Sequence, residues 1–164
     1  MRSFLPTITD LGLGAEAIRR GRHGVIEVVD GQFRRVTLRP WPALVSIPYV
    51  LLTGRWQHRR LAGDRCVLYY NQPRRWPNFL TLQYAISTRD CSLASGFRVL
   101  EVLEEIARIK QSDALLADVT NWRISERLLA RLGWEAHCPS QWHRHYIKRF
   151  YGVYPPRPDW LTGG

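Results

Sequence analysis

The sequence has few cysteines and no long apolar run, and these two absences exclude several classes of protein. Its three cysteines, Cys66, Cys91 and Cys138, lie far apart without a CxxC motif, which argues against a secreted domain stapled by disulfides. The most apolar stretch, residues 41–52, contains two prolines and is too short for a membrane span, which needs about 20 residues. The first ten residues include an acid and do not resemble a signal peptide. We therefore expect a soluble, cytoplasmic protein without a membrane partner.

Positive charge is abundant, and it is concentrated in the first half of the chain. The 164 residues carry 24 Lys+Arg against 14 Asp+Glu, for a net charge of +10. Residues 1–89 hold 14 arginines and five acids, whereas residues 90–164 hold ten basic and nine acidic side chains. This excess predicts an anionic partner for the first half. With 45% hydrophobic residues, the composition is that of a folded domain rather than of a disordered basic tail.

Alternating β-branched residues predict several strands in the first half. An Asp30-Gly31 pair lies between two such runs and predicts a β-hairpin over residues 24–38, because both residues accept the positive φ of a tight turn. Two further strands are predicted over residues 66–70 and 79–87. The proline-rich stretch between the hairpin and these strands has no clear pattern.

After residue 92 the apolar period becomes helical, and helices then alternate with strands. The predicted elements are a long helix over residues 93–109, a buried strand over 114–119, a shorter helix over 124–132 and a strand over 145–151. Thr120 or Asn121 is available to cap the shorter helix, and Gly133 to end it. This order predicts an α/β sheet with right-handed crossovers.

Two motifs in the second half carry a family resemblance. A loop of pattern Arg-x-x-Ser-x-Ala, residues 89–94, follows the 79–87 strand and opens the long helix. After the next strand come Asn121 and a helix that ends in Gly133-Trp134. In order and in these motifs, the chain resembles the second half of the GNAT-type N-acyltransferase superfamily, whose loop reads Arg/Gln-x-x-Gly-x-Gly/Ala.

The resemblance implies a single α/β domain with a GNAT-like mixed sheet flanked by helices. This domain consists of a basic N-terminal half with the hairpin over residues 1–77, a half resembling an acyl-coenzyme A-binding unit over 78–152 and a tail over 153–164. The chain departs from the family pattern in its motifs: Asn121 lies one residue earlier than the pattern has it, and two residue types differ. Ser92 replaces the first loop glycine, and Leu129 stands where many members have the tyrosine that protonates the departing thiolate.

The activity implied by the resemblance is acyl-coenzyme A-dependent N-acyl transfer, with acetyl-coenzyme A or another acyl-coenzyme A and an unknown acceptor. An active enzyme and a catalytically lapsed relative both remain open. The residues implied in cofactor binding are Tyr84, Ala85, Ile86, Arg89, Ser92, Leu93, Ala94 and Asn121. The first three offer backbone groups to the pantetheine arm, and Arg89 pairs with phosphate, because free N–H groups at a helix start form an anion site. His145 and Tyr146 are the candidates for general base or acid.

A cluster of imidazole and thiol groups near the end of the chain is a weak metal candidate. His137, Cys138, His143 and His145 have a spacing that fits no common metal site, and neither a second cysteine pair nor a carboxylate cluster accompanies them. We therefore expect no metal ion.

Arginine and tryptophan interleave at two places in the first half, and this supports a second interpretation. Arginine contacts phosphate and tryptophan stacks on unpaired bases, so the chain also fits a basic, non-enzymatic binding module for RNA or for an acidic protein partner. The arginines concerned are Arg55, Arg59, Arg60, Arg74 and Arg75. Alternatively, Trp56 and Trp76 are packing residues surrounded by arginine side chains.

Overall fold

The centre of the fold is one mixed sheet. The computed structural model describes residues 5–42, 63–88, 90–119, 125–137 and 144–162. The strands are β1 (Thr7–Ile8), β2 (His23–Val29), β3 (Gln32–Arg39), β4 (Arg65–Asn71), β5 (Phe79–Ser87), β6 (Ala114–Asp118), β7 (Glu135–Ala136) and β8 (His145–Arg149). The helices are α1 (Ala15–Arg20), α2 (Leu93–Lys110), α3 (Glu126–Arg131) and α4 (Asp159–Thr162).

The eight strands lie in the order β1-β3-β2-β4-β5-β6-β8-β7. Neighbouring strands are antiparallel except for β5 and β6, which are parallel and are joined by the crossover helix α2. The mixed α/β sheet of a single domain is therefore confirmed.

The β2–β3 hairpin has the turn that the sequence predicts. Asp30 and Gly31 have φ values of 51° and 72°, so both central residues of the turn adopt the left-handed conformation of a tight hairpin. The hairpin is longer than predicted, since His23 pairs with Arg39.

The core lies between the sheet and α2, which packs on β2, β3 and β4. Val102, Leu103 and Ile106 on this helix are fully buried, as are Ile26 and Val28 on β2. Burial of apolar surface of this kind contributes most of the stability of a small domain. None of the described helices is long and apolar enough to cross a membrane.

The segment that follows β8 lies along α2 and covers it. The Trp160 indole donates to Glu101 Oε2 at 2.9 Å, and the Arg98 guanidinium lies 4.6 Å from the centre of the Trp160 ring. Nearer to the sheet, the Tyr154 hydroxyl donates to the Ser112 carbonyl at 2.9 Å. The predicted tail is thus part of the folded domain.

Most elements of the second half occur where the sequence predicts them, with two corrections. The shorter helix is capped by Ser125, whose hydroxyl accepts from the Leu128 N–H, so the predicted cap further upstream is wrong. The strand predicted over residues 145–151 ends at Arg149, because Tyr151 has a φ of 47° and the Phe150 N–H leaves the ladder to bind Asp113.

Candidate functional site

The parallel pair β5–β6 is joined for only part of the length of β5. Pairing begins at Phe79 and Ala114 and ends at Leu82 and Ala117, whereas β5 continues to Ser87. Over this later part β5 stays paired with β4, and β6 stays paired with β8. β6 ends one residue later, at Asp118, so among the described residues the edge of β5 over residues 83–87 has no β6 partner. We call this unpaired edge, together with the end of β6, the opening; it lies at the carboxyl ends of the strands, where open α/β sheets bind ligands.

A β-bulge lies in β5 at the point where its pairing with β6 ends. Tyr69 of β4 pairs with Tyr84, but the next residue, Tyr70, pairs with Leu82, so Gln83 is left without an opposite residue. A bulge bends its strand and increases the local twist. The bulge thus lies directly after Leu82, the last residue of β5 that pairs with β6.

The helix α2 begins at the same end of the sheet, and its start is occupied by a carboxylate from the chain itself. The Ser92 hydroxyl accepts from the Ser95 N–H at 3.1 Å, which makes Ser92 the helix cap. Its N–H and hydroxyl donate to the two carboxylate oxygens of Asp64 at 2.8 Å and 2.5 Å. Ser92, implied as a phosphate ligand, is thus already engaged, while Leu93 and Ala94 in the first turn are exposed.

The hydrogen bonds from Ser92 also hold the Asp64 pKa below its ordinary value. The bond from the hydroxyl contributes most, followed by that from the backbone N–H and by Ser95. Asp64 is therefore ionised at neutral pH and lies where the positive end of the helix dipole stabilises an anion. No local sequence pattern indicates this contact, because 28 residues separate the two partners.

Replacing Asp64 with asparagine is expected to lower the free energy of unfolding at pH 7. A carboxyl whose pKa is lowered on folding stabilises the fold above its ordinary pKa of 3.8, and this contribution is lost as the pH falls through the lowered value. Urea unfolding should therefore show the largest difference between Asp64→Asn and the parent protein at neutral pH, narrowing below about pH 4. Asp30→Asn is the control, because asparagine also adopts the positive φ of that exposed turn. Equal losses in the two variants would contradict this role of Asp64.

The side chains implied as general acid or base lie on β8, which pairs with β6 on the side away from β5. Tyr146 pairs with Ala117, which is also the last residue of β6 paired with β5. Its side chain is 3% exposed, and its hydroxyl donates to Glu126 Oε1 at 3.4 Å and accepts from Arg144 Nη2 at 3.3 Å. His145 precedes it by one residue, nearer to the carboxyl end of β6.

Leu129, at the position of the family tyrosine, is a core residue of α3. It is buried, and its carbonyl accepts from the Trp134 N–H at 2.9 Å as the helix ends at Gly133, whose φ is 82°. A buried leucine has no proton to donate to a thiolate. Any proton donor at this site therefore comes from another element.

A cysteine nucleophile does not fit this region. Burial, together with the neighbouring Cys91 thiol, raises the pKa of Cys66 to about 12. Burial and the nearby Asp64 carboxylate likewise raise the pKa of Cys91. Both thiols are therefore protonated at neutral pH, and the thiol form is a poor nucleophile.

Several of the implied residues lie outside the described parts of the chain. These are Arg55, Arg59, Arg60, Arg89, Asn121, Cys138 and His143. Three β5 residues are implied in pantetheine binding, and all of them, Tyr84, Ala85 and Ile86, pair through their backbones with β4. Only the edge of β5 that faces away from β4 is therefore left at the opening. In the ranges that are described, no group of three or more His, Cys, Asp or Glu side chains is arranged to hold a metal ion.

Comparison with known proteins finds no relative of this chain. The chain matches no family model, no curated protein and no solved structure. The geometry of the chain's own residues therefore carries the whole argument for its function.

The second arginine–tryptophan cluster of the sequence lies at the opposite end of the sheet. Arg74 and Arg75 are exposed in the turn between β4 and β5, and the Trp76 side chain is 61% exposed. Trp76 is therefore not a packing residue. The structure also brings Arg22 and Arg39 to this end, and their part could have been found by extending the hairpin register from the Asp-Gly turn to its open end.

Proposed function

We propose that the protein is an acyl-coenzyme A-dependent N-acyltransferase with a GNAT-like single-domain sheet. The observation that carries this proposal is the opening between the parallel strands β5 and β6 after Leu82 and Ala117, with α2 starting at the same end. The backbone edge of β5 over residues 83–87 is not joined to β6. An extended amide-containing chain such as pantetheine can hydrogen-bond to an open strand edge of this kind.

The chemistry requires little beyond positioning and proton transfer. The nitrogen of the acceptor amine attacks the thioester carbonyl, the new C–N bond forms, the C–S bond breaks, and the thiolate leaves. The amine loses a proton to a base and the thiolate gains one from an acid. In this proposal His145 is the base and Tyr146 is the acid, because β8 carries both opposite the last two residues of β6, where the pairing of β6 with β5 ends.

Asp64 gives this proposal a specific electrostatic consequence. Its carboxylate lies at the start of α2, where the phosphates of coenzyme A are proposed to bind. Two anions at one helix start repel each other, so the bound cofactor must lie nearer to the exposed first turn at Leu93 and Ala94 or displace Asp64. Removing the charge of Asp64 should therefore strengthen cofactor binding.

The test is titration with acetyl-coenzyme A, followed by calorimetry and by thermal unfolding. A ligand at one hundred times its Kd adds about 2.7 kcal/mol to the free energy of unfolding, so the Tm should rise with the concentration of acetyl-coenzyme A. Asp64→Asn should bind more tightly than the parent protein, whereas Asp30→Asn should bind equally. The absence of binding at millimolar acetyl-coenzyme A in all three proteins would overturn the proposal.

Turnover is tested separately from binding. Release of the free coenzyme A thiol is followed with a thiol reagent in the presence of polyamine or peptide amines. Thiol release that depends on the amine supports the active enzyme, and binding without release identifies a lapsed relative that retains the cofactor site.

A further inference from the structure

Five basic residues lie at the end of the sheet that is away from the start of α2. His23 opens β2 and pairs with Arg39, the last residue of β3, and on its other side with Asn71, the last residue of β4. Directly opposite residues in a sheet project to the same face, so these side chains form one row. Arg22 precedes the row, and its carbonyl accepts a hydrogen bond from the Gln72 N–H. Arg74 follows in the next turn.

We call Arg22, His23, Arg39, Arg74 and Arg75 the basic end. Three of these arginines act on His23: burial lowers the pKa of His23, a hydrogen bond with Asn71 opposes this shift, and the charges of Arg22, Arg74 and Arg39 lower the pKa further. Arg22, Arg39 and Arg74 therefore lie near the His23 imidazole.

Among the described residues, no Asp or Glu carboxylate is paired with the arginines of the basic end. All 14 Asp and Glu residues lie in the described ranges, and within those ranges none of them forms an ion pair with Arg22, Arg39, Arg74 or Arg75. Of the residues outside those ranges, 43–62 include three arginines and no acid. Like charges that gather without counter-charges destabilise a fold, so their presence at one place indicates an external anion.

Two tryptophans are exposed beside these arginines. Trp41 follows β3 by two residues and is 64% exposed, and Trp76 follows Arg75 directly and is 61% exposed. Both indoles are therefore exposed at the end of the sheet that carries these arginines, where they are available to stack on a ligand. Arg39 already lies over an aromatic ring, that of Tyr69, at 6.0 Å from its centre.

We propose that the basic end, with Trp41 and Trp76, is a binding surface for single-stranded RNA. The arginines contact phosphates and the indoles stack on bases. Charge alone would also fit an acidic protein, but exposed indoles next to arginines fit a ligand that combines phosphates with aromatic faces. Only unpaired bases expose those faces, which favours a single strand over a duplex. This proposal is independent of the proposed acyl transfer, whose opening lies at the other end of the sheet.

The experiment measures fluorescence anisotropy of a labelled oligouridine 12-mer over a series of salt concentrations. Binding of the parent protein should weaken steeply as salt rises, with a slope of about 0.7 in log K per log salt for each phosphate contact. Arg74→Ala/Arg75→Ala should lose affinity and flatten the slope by about 1.4. The matched control is Arg127→Ala/Arg131→Ala, which removes the same charge from two exposed arginines of α3.

Stacking is tested at Trp76. Trp76→Ala should weaken binding by about five- to 150-fold, the range of one base–aromatic stack, whereas Trp76→Phe should keep most of the affinity. Circular dichroism checks that each variant is folded.

Three results would overturn the proposal: no binding of the 12-mer at low salt, equal losses in the two double-arginine variants, or equal affinity for a duplex RNA. The surface would instead be assigned to an acidic protein by two results together. Polyglutamate would displace the oligonucleotide at equal charge concentration, and Trp76→Ala would bind the 12-mer with the same affinity as the parent protein.

Discussion

Replacing Leu103 with alanine is expected to lower the free energy of unfolding by about 2–5 kcal/mol. Leu103 is 0% exposed and lies on the face of α2 that packs on the sheet. The substitution removes apolar contacts and leaves a cavity, because the surrounding strands relax only partly. Urea unfolding at neutral pH measures the loss, and an unchanged m-value shows that the denatured state is not affected.

Leu93→Ala is the matched control for this prediction. It is the same substitution on the same helix, but Leu93 is 74% exposed, so the change in the free energy of unfolding should stay within about 0.5 kcal/mol. If the two variants lose equal stability, α2 does not pack on the sheet through the face described above.

Replacing Gly24 with alanine is expected to lower the free energy of unfolding by about 1–3 kcal/mol. A methyl group at Gly24 would lie 2.5 Å from the ring and hydroxyl oxygen of Tyr70, its partner across β2 and β4. The Tyr70 ring is rigid and buried in the core, so it cannot move aside without disturbing its neighbours. Thermal and urea unfolding should both report the loss.

Gly96→Ala provides a control of opposite sign. A methyl group at Gly96 meets no atom within 4 Å, and the residue lies within α2. Alanine is a better helix former than glycine by about 0.5–1 kcal/mol, so this variant should be more stable than the parent protein. If Gly24→Ala leaves the free energy of unfolding unchanged while Gly96→Ala raises it, Tyr70 does not fill the space over Gly24.

The elements that could be predicted from sequence are those with a long, regular period. The helix over residues 93–109 and the strands over 66–70, 79–87 and 114–119 are confirmed to within a residue or two as α2, β4, β5 and β6. Their periodicity reflects one apolar face packed on the core, which depends on the local sequence. The two-residue strands β1 and β7 are too short to show a period, and the short helices α1 and α4 were not predicted either.

The candidate sites were harder to predict than these elements, because they form through contacts between distant parts of the chain. The bulge at Gln83 exists because β5 pairs with β4 in a particular register, and no pattern within β5 indicates it. Arg75 and Trp76 stood out as neighbours in sequence, whereas Arg22 joins them only through the pairing of β2 with β4. The sequence therefore indicated which residue types each site contains but only some of the residues that form it.

The length of β2 has a consequence for how the two proposed sites could act together. This strand has seven residues and runs from the basic end toward the end where α2 starts, a distance of about 20 Å at about 3.3 Å per residue. An RNA strand held at the basic end thus leaves the opening between β5 and β6 uncovered. An amine attached to that RNA, or to a protein bound on it, would be tethered near the opening, and its effective concentration there could reach the millimolar range. The sheet would then serve as a spacer that fixes the distance between the anchored polymer and the acyl acceptor.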